Sequence, residues 1–93
     1  MFEYDKSKSR GNFEKHGIDF VEAQRLWDDG SLLYKPSDYY GSELRWLVTG
    51  MIDDKYYTAV ITTRGNDYIR IISVRRARKE EVQNYDKNNR NNG

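Results

Sequence analysis

The residues best suited to chemistry lie close together in one stretch, residues 64–79, which we call the basic segment. It contains six basic side chains and one acidic side chain, although the whole chain carries a formal net charge of only +1. A guanidinium fork matches phosphate oxygens, and a β-strand holds an arginine in a fixed direction. Because the segment mixes arginine with isoleucine, it differs from a solvated, lysine-rich charge run. The basic segment is therefore predicted to bind phosphate groups, and a nucleic acid is its predicted ligand.

Four arginines of this segment are candidate phosphate clamps: Arg64, Arg70, Arg75 and Arg76. Arg64 lies at a predicted turn, from which its side chain can reach a groove. Strand alternation predicts one face with Ile69, Ile71, Ser73 and Arg75, and another with Arg70, Ile72 and Arg76. Both faces are mixed, so the four arginines do not all reach one phosphate. Arg70 and Arg75 can alternatively pair with acids such as Glu22 or Glu81.

Cleavage of RNA fits the residue types that are present. It needs a group that removes the proton from a 2′-hydroxyl, cations that stabilise the added charge on phosphorus, and an acid for the 5′-oxygen leaving group. His16 is the only histidine of the chain, and imidazole has an unperturbed pKa of about 6.5. His16, with Lys15 beside it, is the candidate acid–base group. His16 also ends a predicted helix, where a protonated imidazole would stabilise the helix dipole, so a structural role stays open.

Composition excludes several other kinds of site. The 93-residue chain has no cysteine, so it offers no disulfide framework, thiolate nucleophile or cysteine-based zinc site. A single histidine excludes a histidine-rich metal site, and we predict that no cofactor is used. No apolar run approaches the ~20 residues that span a membrane, and the N-terminus lacks a signal-peptide pattern. The chain is expected to be soluble and cytoplasmic.

Local patterns place the candidate residues on a small set of elements. Residues 2–4 alternate as in a short strand. Asp5 and Gly17 are predicted to cap a helix over residues 6–16, and Asp19 is predicted to cap a second helix that ends near residues 28–30. Four strands follow, over residues 32–34, 44–51, 56–63 and 68–74, with a loop over residues 36–42 and turns at 53–54 and 65–66. A final helix is predicted from Ala77 to about Lys87.

The element order predicts an α+β domain. Its small antiparallel sheet has about four strands plus a short N-terminal strand, and it carries two N-terminal helices and one C-terminal helix. Residues 1–87 form a single domain in this prediction. The asparagine-rich residues 88–93 form a disordered tail, because they have no apolar side chains to bury.

Two blocks of the sequence resemble the BrnT family. The opening block contains Phe2-Glu3-Tyr4-Asp5, Lys8, Asn12, Lys15-His16-Gly17-Ile18, Phe20 and Ala23. The closing block contains Thr63-Arg64-Gly65, Arg70-Ile71-Ile72-Ser73-Val74-Arg75, Ala77, Glu81 and Tyr85. The resemblance spans about residues 2–86, with a variable middle in which Arg45 and Gly50 match. Tyr4 and Val74 depart from the family pattern, where tryptophan and alanine are more frequent.

The resemblance implies a RelE-like fold and ribonuclease activity, because BrnT proteins are toxins of type II toxin–antitoxin pairs. It also implies that the chain inhibits translation and growth. The implied partner is a BrnA-like antitoxin, a ribbon-helix-helix DNA-binding protein that neutralises the toxin and represses the shared operon. Since such proteins dimerise, the expected complex is two-fold and binds operator DNA through the antitoxin.

The residues and the resemblance together predict a site. The predicted catalytic residues are His16, Lys15, Arg64 and Arg75. The predicted RNA contacts are Arg70, Ser73, Arg76, Tyr39 and Tyr40, and the two tyrosines are candidates for stacking on an unpaired base. The predicted reaction is metal-independent endonucleolytic cleavage that leaves a 2′,3′-cyclic phosphate. Two alternatives fit the same basic segment: a non-catalytic RNA-binding module, and a protein-interaction domain that docks an acidic partner.

Overall fold

The computed structural model describes residues 1–40, 43–65 and 67–92, without the side chains of residues 38–40, 91 and 92. The helices of these ranges are α1 (Lys6–His16), α2 (Phe20–Ala23), a 3-10 helix (Gln24–Asp28) and α3 (Lys79–Asn92). Their strands are β1 (Phe2–Glu3), β2 (Leu33–Tyr40), β3 (Glu43–Ile52), β4 (Lys55–Arg64) and β5 (Tyr68–Arg76). No helix in the described ranges is long and apolar enough to cross a membrane.

The strands form one mixed sheet in the order β1-β5-β4-β3-β2. Strands β2 to β5 are the antiparallel meander that short connections predict, and the α+β class is confirmed. Strand β1, however, lies parallel to β5, with Phe2 opposite Ile69 and Glu3 opposite Arg70. The prediction of an antiparallel sheet was wrong at this edge. A parallel neighbour needs a long crossover connection, and here the helices and the meander supply it.

Helix α1 begins and ends at the predicted capping residues. The Asp5 carboxylate accepts a 3.0 Å hydrogen bond from the Lys8 N–H. Gly17 has a φ of 76°, and its N–H donates to the Phe13 carbonyl. Glycine adopts this left-handed conformation without a steric penalty from Cβ. The two caps therefore fix the ends of α1, which place Lys8 near one end and His16 at the other.

Helix α2 and the 3-10 helix bury the apolar core against one face of the sheet, which we call the core face. Asp19 caps α2 by accepting a 2.8 Å hydrogen bond from the Glu22 N–H. The α-helix stops at Ala23, earlier than predicted, and the 3-10 helix carries the chain to Asp28. Phe20, Ala23 and Leu26 are almost fully buried. They share the core with Val48, Ala59, Ile61, Ile71 and Val74 from the sheet.

Helix α1 is attached to the sheet by a polar side chain. Asn12 is buried, and its Nδ2 donates to the carbonyls of Val74 at 2.8 Å and Ile18 at 2.7 Å. Its Oδ1 accepts from the Val74 N–H at 3.2 Å. The paired residues of β1 are opposite Ile69 and Arg70, so Val74 lies beyond the reach of β1. The amide of Asn12 therefore satisfies backbone groups that would otherwise be buried without partners.

Strand β5 contains a bulge that changes which side chains share a face. Val60 pairs with Ser73 and Ile61 pairs with Ile71, so Ile72 is an extra residue. Ile71 and Val74 both lie in the core, although regular alternation would place them on different faces. Arg70, Ser73 and Arg75 consequently share the other face, which we call the opposite face. The predicted grouping of Ser73 and Arg75 with Ile69 and Ile71 was therefore wrong.

Two segments predicted to lack regular structure belong to elements. The predicted loop over residues 36–42 contains the end of β2, which pairs as far as Tyr40 with an irregularity between Pro36 and Tyr39. Proline is tolerated there because β2 is an edge strand. The predicted tail, residues 88–93, coincides with α3 as far as Asn92, and Gly93 lies outside the described residues. Residues 79–92 contain neither proline nor glycine, the two residue types that most weaken a helix.

Helix α3 covers one end of the opposite face. Tyr85 is its buried aromatic residue, and the Tyr85 hydroxyl donates to Asp29 Oδ2 at 2.7 Å. The Tyr85 ring meets the Tyr56 ring edge-on, with centroids 5.6 Å apart. Burial acts to raise the pKa of Asp29, but hydrogen bonds from the Tyr85 hydroxyl and from two backbone N–H groups outweigh it and lower that pKa. Polar contacts thus hold much of α3 in place.

Candidate phosphate-binding site

Two arginines of the basic segment converge on one carboxylate. Glu3 on β1 is opposite Arg70 on β5, and Arg70 is opposite Thr62 on β4. Arg70 Nη1 lies 3.6 Å from Glu3 Oε1, and Arg64 Nε lies 3.1 Å from the same oxygen. Cross-strand partners point to the same face of a sheet, so the pairing of β1 with β5 creates this contact. Arg64 and Arg70, two of the four candidate phosphate clamps, are therefore adjacent.

A pocket of about 90 Å³ lies beside these arginines. Lys8 from α1 and Arg45 from β3 also line it, and we call it the cationic pocket after Lys8, Arg45, Arg64 and Arg70. Its remaining lining residues are Asp5, Glu43, Thr62, Ile71 and Ile72. Four cations from α1, β3, β4 and β5 around a small hollow can hold a tetrahedral oxyanion, because each presents N–H donors to oxygen.

Carboxylates keep these cations in place without neutralising them all. Glu43 Oε2 lies 3.9 Å from Arg45 Nε. The Lys8 backbone N–H lowers the pKa of Asp5 through its hydrogen bond. The Arg64 side chain is 58% exposed and that of Arg70 is 32% exposed. Solvent, and hence a ligand, can reach both guanidinium groups.

Arg75 is engaged elsewhere. Its Nη1 and Nη2 donate to Glu81 Oε1 and Oε2 at 2.7 and 3.0 Å, a two-bond pairing with α3. Glu81 Oε1 also accepts hydrogen bonds from Thr58 Oγ1 and from the Arg78 N–H. Burial acts to raise the pKa of Glu81, but Arg75 and the other donors hold it at about 2. Arg75 and Arg70 are five residues apart on β5, roughly 15 Å along the strand, so the two do not share one phosphate.

Two further predicted RNA contacts, Ser73 and Arg76, do not line the cationic pocket. Arg76 Nε donates to the Tyr56 carbonyl at 3.3 Å, and the Arg76 guanidinium lies 5.6 Å from the centroid of the Tyr57 ring. Ser73 faces the opposite side of the sheet from the core and pairs with Val60. Arg76 therefore has protein partners at the end of β5, whereas Ser73 lies on the face that also carries Arg70.

Lys15 and His16 occupy the last turn of α1, and both are exposed. Lys8, which lines the cationic pocket, is eight residues earlier on the same helix. A helix rises 1.5 Å per residue, so His16 lies roughly 12 Å farther along the axis than Lys8. The structure thus does not bring the predicted acid–base pair together with Arg64 and Arg70. Cations in this turn face the negative end of the helix dipole.

The remaining predicted contacts, Tyr39 and Tyr40, are backbone members of β2, paired with Leu44 and Glu43. Their side chains lie outside the described residues, so the predicted base stacking stays a prediction. Within the described part of the chain, no group of three or more histidine, aspartate or glutamate side chains is placed to hold a metal ion.

The prediction from residue types missed Lys8 and Arg45, which line this pocket, and Glu3, which contacts two of its arginines. Each belongs to the resemblance described above, but none stands out by composition. They reach the pocket through the parallel pairing of β1, the docking of α1 beside β5, and the register of β3. A basic segment is visible in the sequence, whereas these three contacts join parts of the chain that are far apart.

Comparison with known proteins identifies the family and a similar fold. Residues 4–81 match the model of a family described as the ribonuclease toxin BrnT of type II toxin–antitoxin systems. The fold is similar to the crystal structure of the Brucella abortus ribonuclease toxin BrnT, with a TM-score of 0.68 and 22% sequence identity. The similarity covers 85% of this chain and 99% of that chain. No curated protein matches the sequence.

Proposed function

The chain belongs to the BrnT family, the ribonuclease toxins of type II toxin–antitoxin systems, and from this premise we propose that the cationic pocket holds the phosphate at which RNA is cut. Membership of the family makes RNA its substrate and an antitoxin its partner. The proposal adds the position of the reacting phosphate and a metal-independent route. It rests on one observation above all: Arg64 and Arg70 approach the same Glu3 oxygen within 3.1 and 3.6 Å.

Fixed cations supply what the cleavage reaction needs most. Attack of a 2′-hydroxyl on phosphorus places additional negative charge on the phosphoryl oxygens. Arg64 and Arg70 are already oriented, so little reorganisation is needed when that charge appears. The P–O5′ bond then breaks, leaving a 2′,3′-cyclic phosphate and a 5′-hydroxyl. In this route the guanidinium groups take the charge-stabilising role that a metal ion has in other nucleases.

Proton transfer requires a base for the 2′-hydroxyl and an acid for the 5′-oxygen. Asp5 and Glu43 line the pocket and Glu3 contacts both arginines beside it, so these three carboxylates are the candidates to accept the proton. The sequence-based assignment to His16 and Lys15 stays a prediction, and it requires the RNA to reach the far end of α1. The roles predicted for Arg75, Ser73, Arg76, Tyr39 and Tyr40 likewise stay predictions.

The partner proposal follows from the same surface. An antitoxin segment that covers Arg64 and the adjoining basic segment would keep RNA out of the cationic pocket. An acidic or amphipathic segment suits this surface, because opposite charge accelerates and orients association. We propose a BrnA-like ribbon-helix-helix protein in this role, in a two-fold complex that binds operator DNA through the antitoxin. We also propose a cytoplasmic location, where RNA and such a partner are both accessible.

Cleavage of single-stranded RNA by the purified protein in EDTA tests the proposal. We expect cleavage to continue in EDTA and to yield 2′,3′-cyclic phosphate ends. Arg64→Ala should lower the rate roughly 10- to 100-fold, since losing a charge-assisted contact costs about 1.5–3 kcal/mol in the transition state. Arg90→Ala removes the same charge from an exposed position on α3 and is the matched control.

Two outcomes would contradict the proposal. Cleavage that stops in EDTA and returns with magnesium would show that the metal-independent route is wrong. An Arg64→Ala protein that is unfolded by circular dichroism would assign Arg64 to the fold rather than to the phosphate.

A further inference from the structure

The opposite face of the sheet carries a short strip with two half-exposed apolar side chains next to the cationic pocket. Lys35, Leu47, Val60 and Ser73 are cross-strand partners in turn and form one row over β2, β3, β4 and β5. Leu47 and Val60 at its centre are only half-buried. The row containing Thr62 and Arg70 is next along the strands. A nucleotide chain bound at the cationic pocket therefore has a flat apolar surface beside it.

Helix α3 places polar groups at the other side of this strip. Glu80 and Asn84 are four residues apart on α3 and share one face of the helix. Together with Lys35 and Leu47 they line a shallow cleft of about 50 Å³ between α3 and the sheet. The neighbouring Glu81 is bound by Arg75 through both of its oxygens. The Glu80 carboxylate, in contrast, has no hydrogen-bond or ion-pair partner among the described residues.

The separation between the cleft and the cationic pocket suits adjacent nucleotides. Leu47 and Leu33 lie one and two rows from Arg70 along the strands, and two and three strands from it across the sheet, so they are roughly 12 and 20 Å from Arg70 in the plane of the sheet. Arg45 of the cationic pocket is closer, because it is two residues from Leu47 on β3, roughly 7 Å. The Leu47 end of the cleft therefore lies at a distance that suits the base of a nucleotide next to the bound phosphate. Such a base would pack on Leu47 and Val60 and point its polar edge towards α3.

The polar groups in the cleft favour one base. A carboxylate accepts two parallel hydrogen bonds when the ligand presents two neighbouring N–H groups. Guanine alone carries such a pair on its pairing edge, at N1 and at the exocyclic amine. The Asn84 amide adds a donor that can reach the guanine O6 carbonyl. We propose that the cleft formed by Lys35, Leu47, Glu80 and Asn84 binds a guanine base next to the phosphate in the cationic pocket, an inference that rests on the proposed function.

Binding of short, fully 2′-O-methylated single-stranded RNAs tests this inference without cleavage. Three RNAs differ at one position only, which is guanosine, inosine or adenosine, and fluorescence anisotropy gives their Kd values. We expect the guanosine RNA to bind roughly 10- to 100-fold more tightly than the adenosine RNA. Inosine, which lacks the exocyclic amine, should fall between them.

Variants separate base recognition from general charge effects. Glu80→Gln should weaken binding of the guanosine RNA while leaving the adenosine RNA unchanged or tighter, because removing a negative charge alone favours every RNA. Glu14→Gln, an exposed residue of α1, removes the same charge and should keep the guanosine preference. Asn84→Ala should reduce the preference in the same direction as Glu80→Gln.

Equal Kd values for the guanosine and adenosine RNAs would overturn the inference, as would a preference that Glu80→Gln leaves intact. Either result is compatible with RNA cleavage at the cationic pocket, which the unmethylated substrate measures separately. If the protein prefers guanosine in binding but cleaves no RNA, the proposed function is wrong, and the result still supports guanine binding in the cleft.

Discussion

Glu3 Oε1 holds two guanidinium groups in place, with Arg64 Nε at 3.1 Å and Arg70 Nη1 at 3.6 Å. An arginine that is already oriented loses less side-chain entropy when it binds a phosphate. The same carboxylate competes with the phosphate for these donors. The affinity of the cationic pocket for a phosphate should therefore depend both on salt concentration and on the charge of Glu3.

The position of His16 in the last turn of α1 supports a structural role for this side chain. It lies in the last turn of α1 with Lys15, roughly 12 Å along the axis from Lys8. We expect His16→Ala to lower the free energy of unfolding by at most roughly 0.3–1 kcal/mol, because a basic residue is removed from the last turn of the helix. RNA cleavage should stay near the wild-type rate. Thermal unfolding and single-turnover cleavage measure the two effects.

If His16→Ala instead lowers the cleavage rate by roughly 10²–10⁴-fold with unchanged RNA affinity, His16 takes part in proton transfer. Lys6→Ala is a matched control, since it removes a cation from the opposite end of the same helix.

At the scale of elements, the position of α3 depends on Glu81. The pKa of Glu81 is held at about 2, below its ordinary value of 4.5, by Arg75 and the neighbouring donors. A carboxylate with a lowered folded-state pKa contributes its full stability above the unfolded-state pKa and loses it as the pH falls towards the folded-state value. The window for Glu81 therefore runs from about pH 4.5 down to about pH 2.

We expect this pair to contribute to acid unfolding. Between neutral pH and about pH 3, the wild-type protein should lose roughly 2 kcal/mol more of its free energy of unfolding than Glu81→Gln does. Urea unfolding at both pH values gives the comparison, and Glu14→Gln should behave like the wild type. Identical acid dependence in the wild type and Glu81→Gln would mean that the Arg75 pairing contributes little.

Asn12 attaches α1 to β5 through hydrogen bonds to Val74, and a substitution can test this contact. Asn12→Ala leaves the backbone groups of Val74 and the Ile18 carbonyl without their partners. We expect the free energy of unfolding to fall by roughly 2–4 kcal/mol, because each buried unsatisfied group costs about 1–3 kcal/mol. Gln83→Ala removes an exposed amide and should change stability little. A loss below about 0.5 kcal/mol in Asn12→Ala would mean that water replaces the amide.

At the scale of the whole molecule, the charge distribution concerns the partner. The net charge is only +1, yet the basic segment concentrates cations along β5 and beside the cationic pocket. An antitoxin can cover this surface and block RNA access in one step. The amides of β5 are already paired with β4, and the Ala77 and Arg78 N–H groups donate to the Tyr56 carbonyl and to Glu81. Protection on complex formation should therefore appear as a further slowing of exchange at the two ends of the basic segment, residues 64–68 and 77–79, where pairing with β4 ends.

Hydrogen exchange of the free toxin and of its complex with the cognate antitoxin measures this protection of the backbone amides. We expect slower exchange at those two ends of the basic segment, together with loss of RNA binding. Residues 43–52, on β3, are an internal reference whose exchange should change less. A complex that binds RNA while residues 64–68 still exchange freely would show that inhibition does not work by occlusion.

Local chemistry in the sequence determined the ends of α1 and the antiparallel meander of β2 to β5. Asp5, Gly17 and Asp19 act within one helical turn, so their effects are readable without the fold. The resemblance to BrnT likewise depends on residue spacing alone, and the family match over residues 4–81 confirms it.

Only the tertiary structure decided which side chains meet. The parallel pairing of β1 with β5 brings Glu3 to Arg70, although 66 residues separate them in the chain. The bulge at Ile72 places Arg70 and Arg75 on one face, and the docking of α3 then engages Arg75 with Glu81. Long-range pairing, a one-residue bulge and helix docking are set by the packing of the whole core, which no short window of sequence specifies.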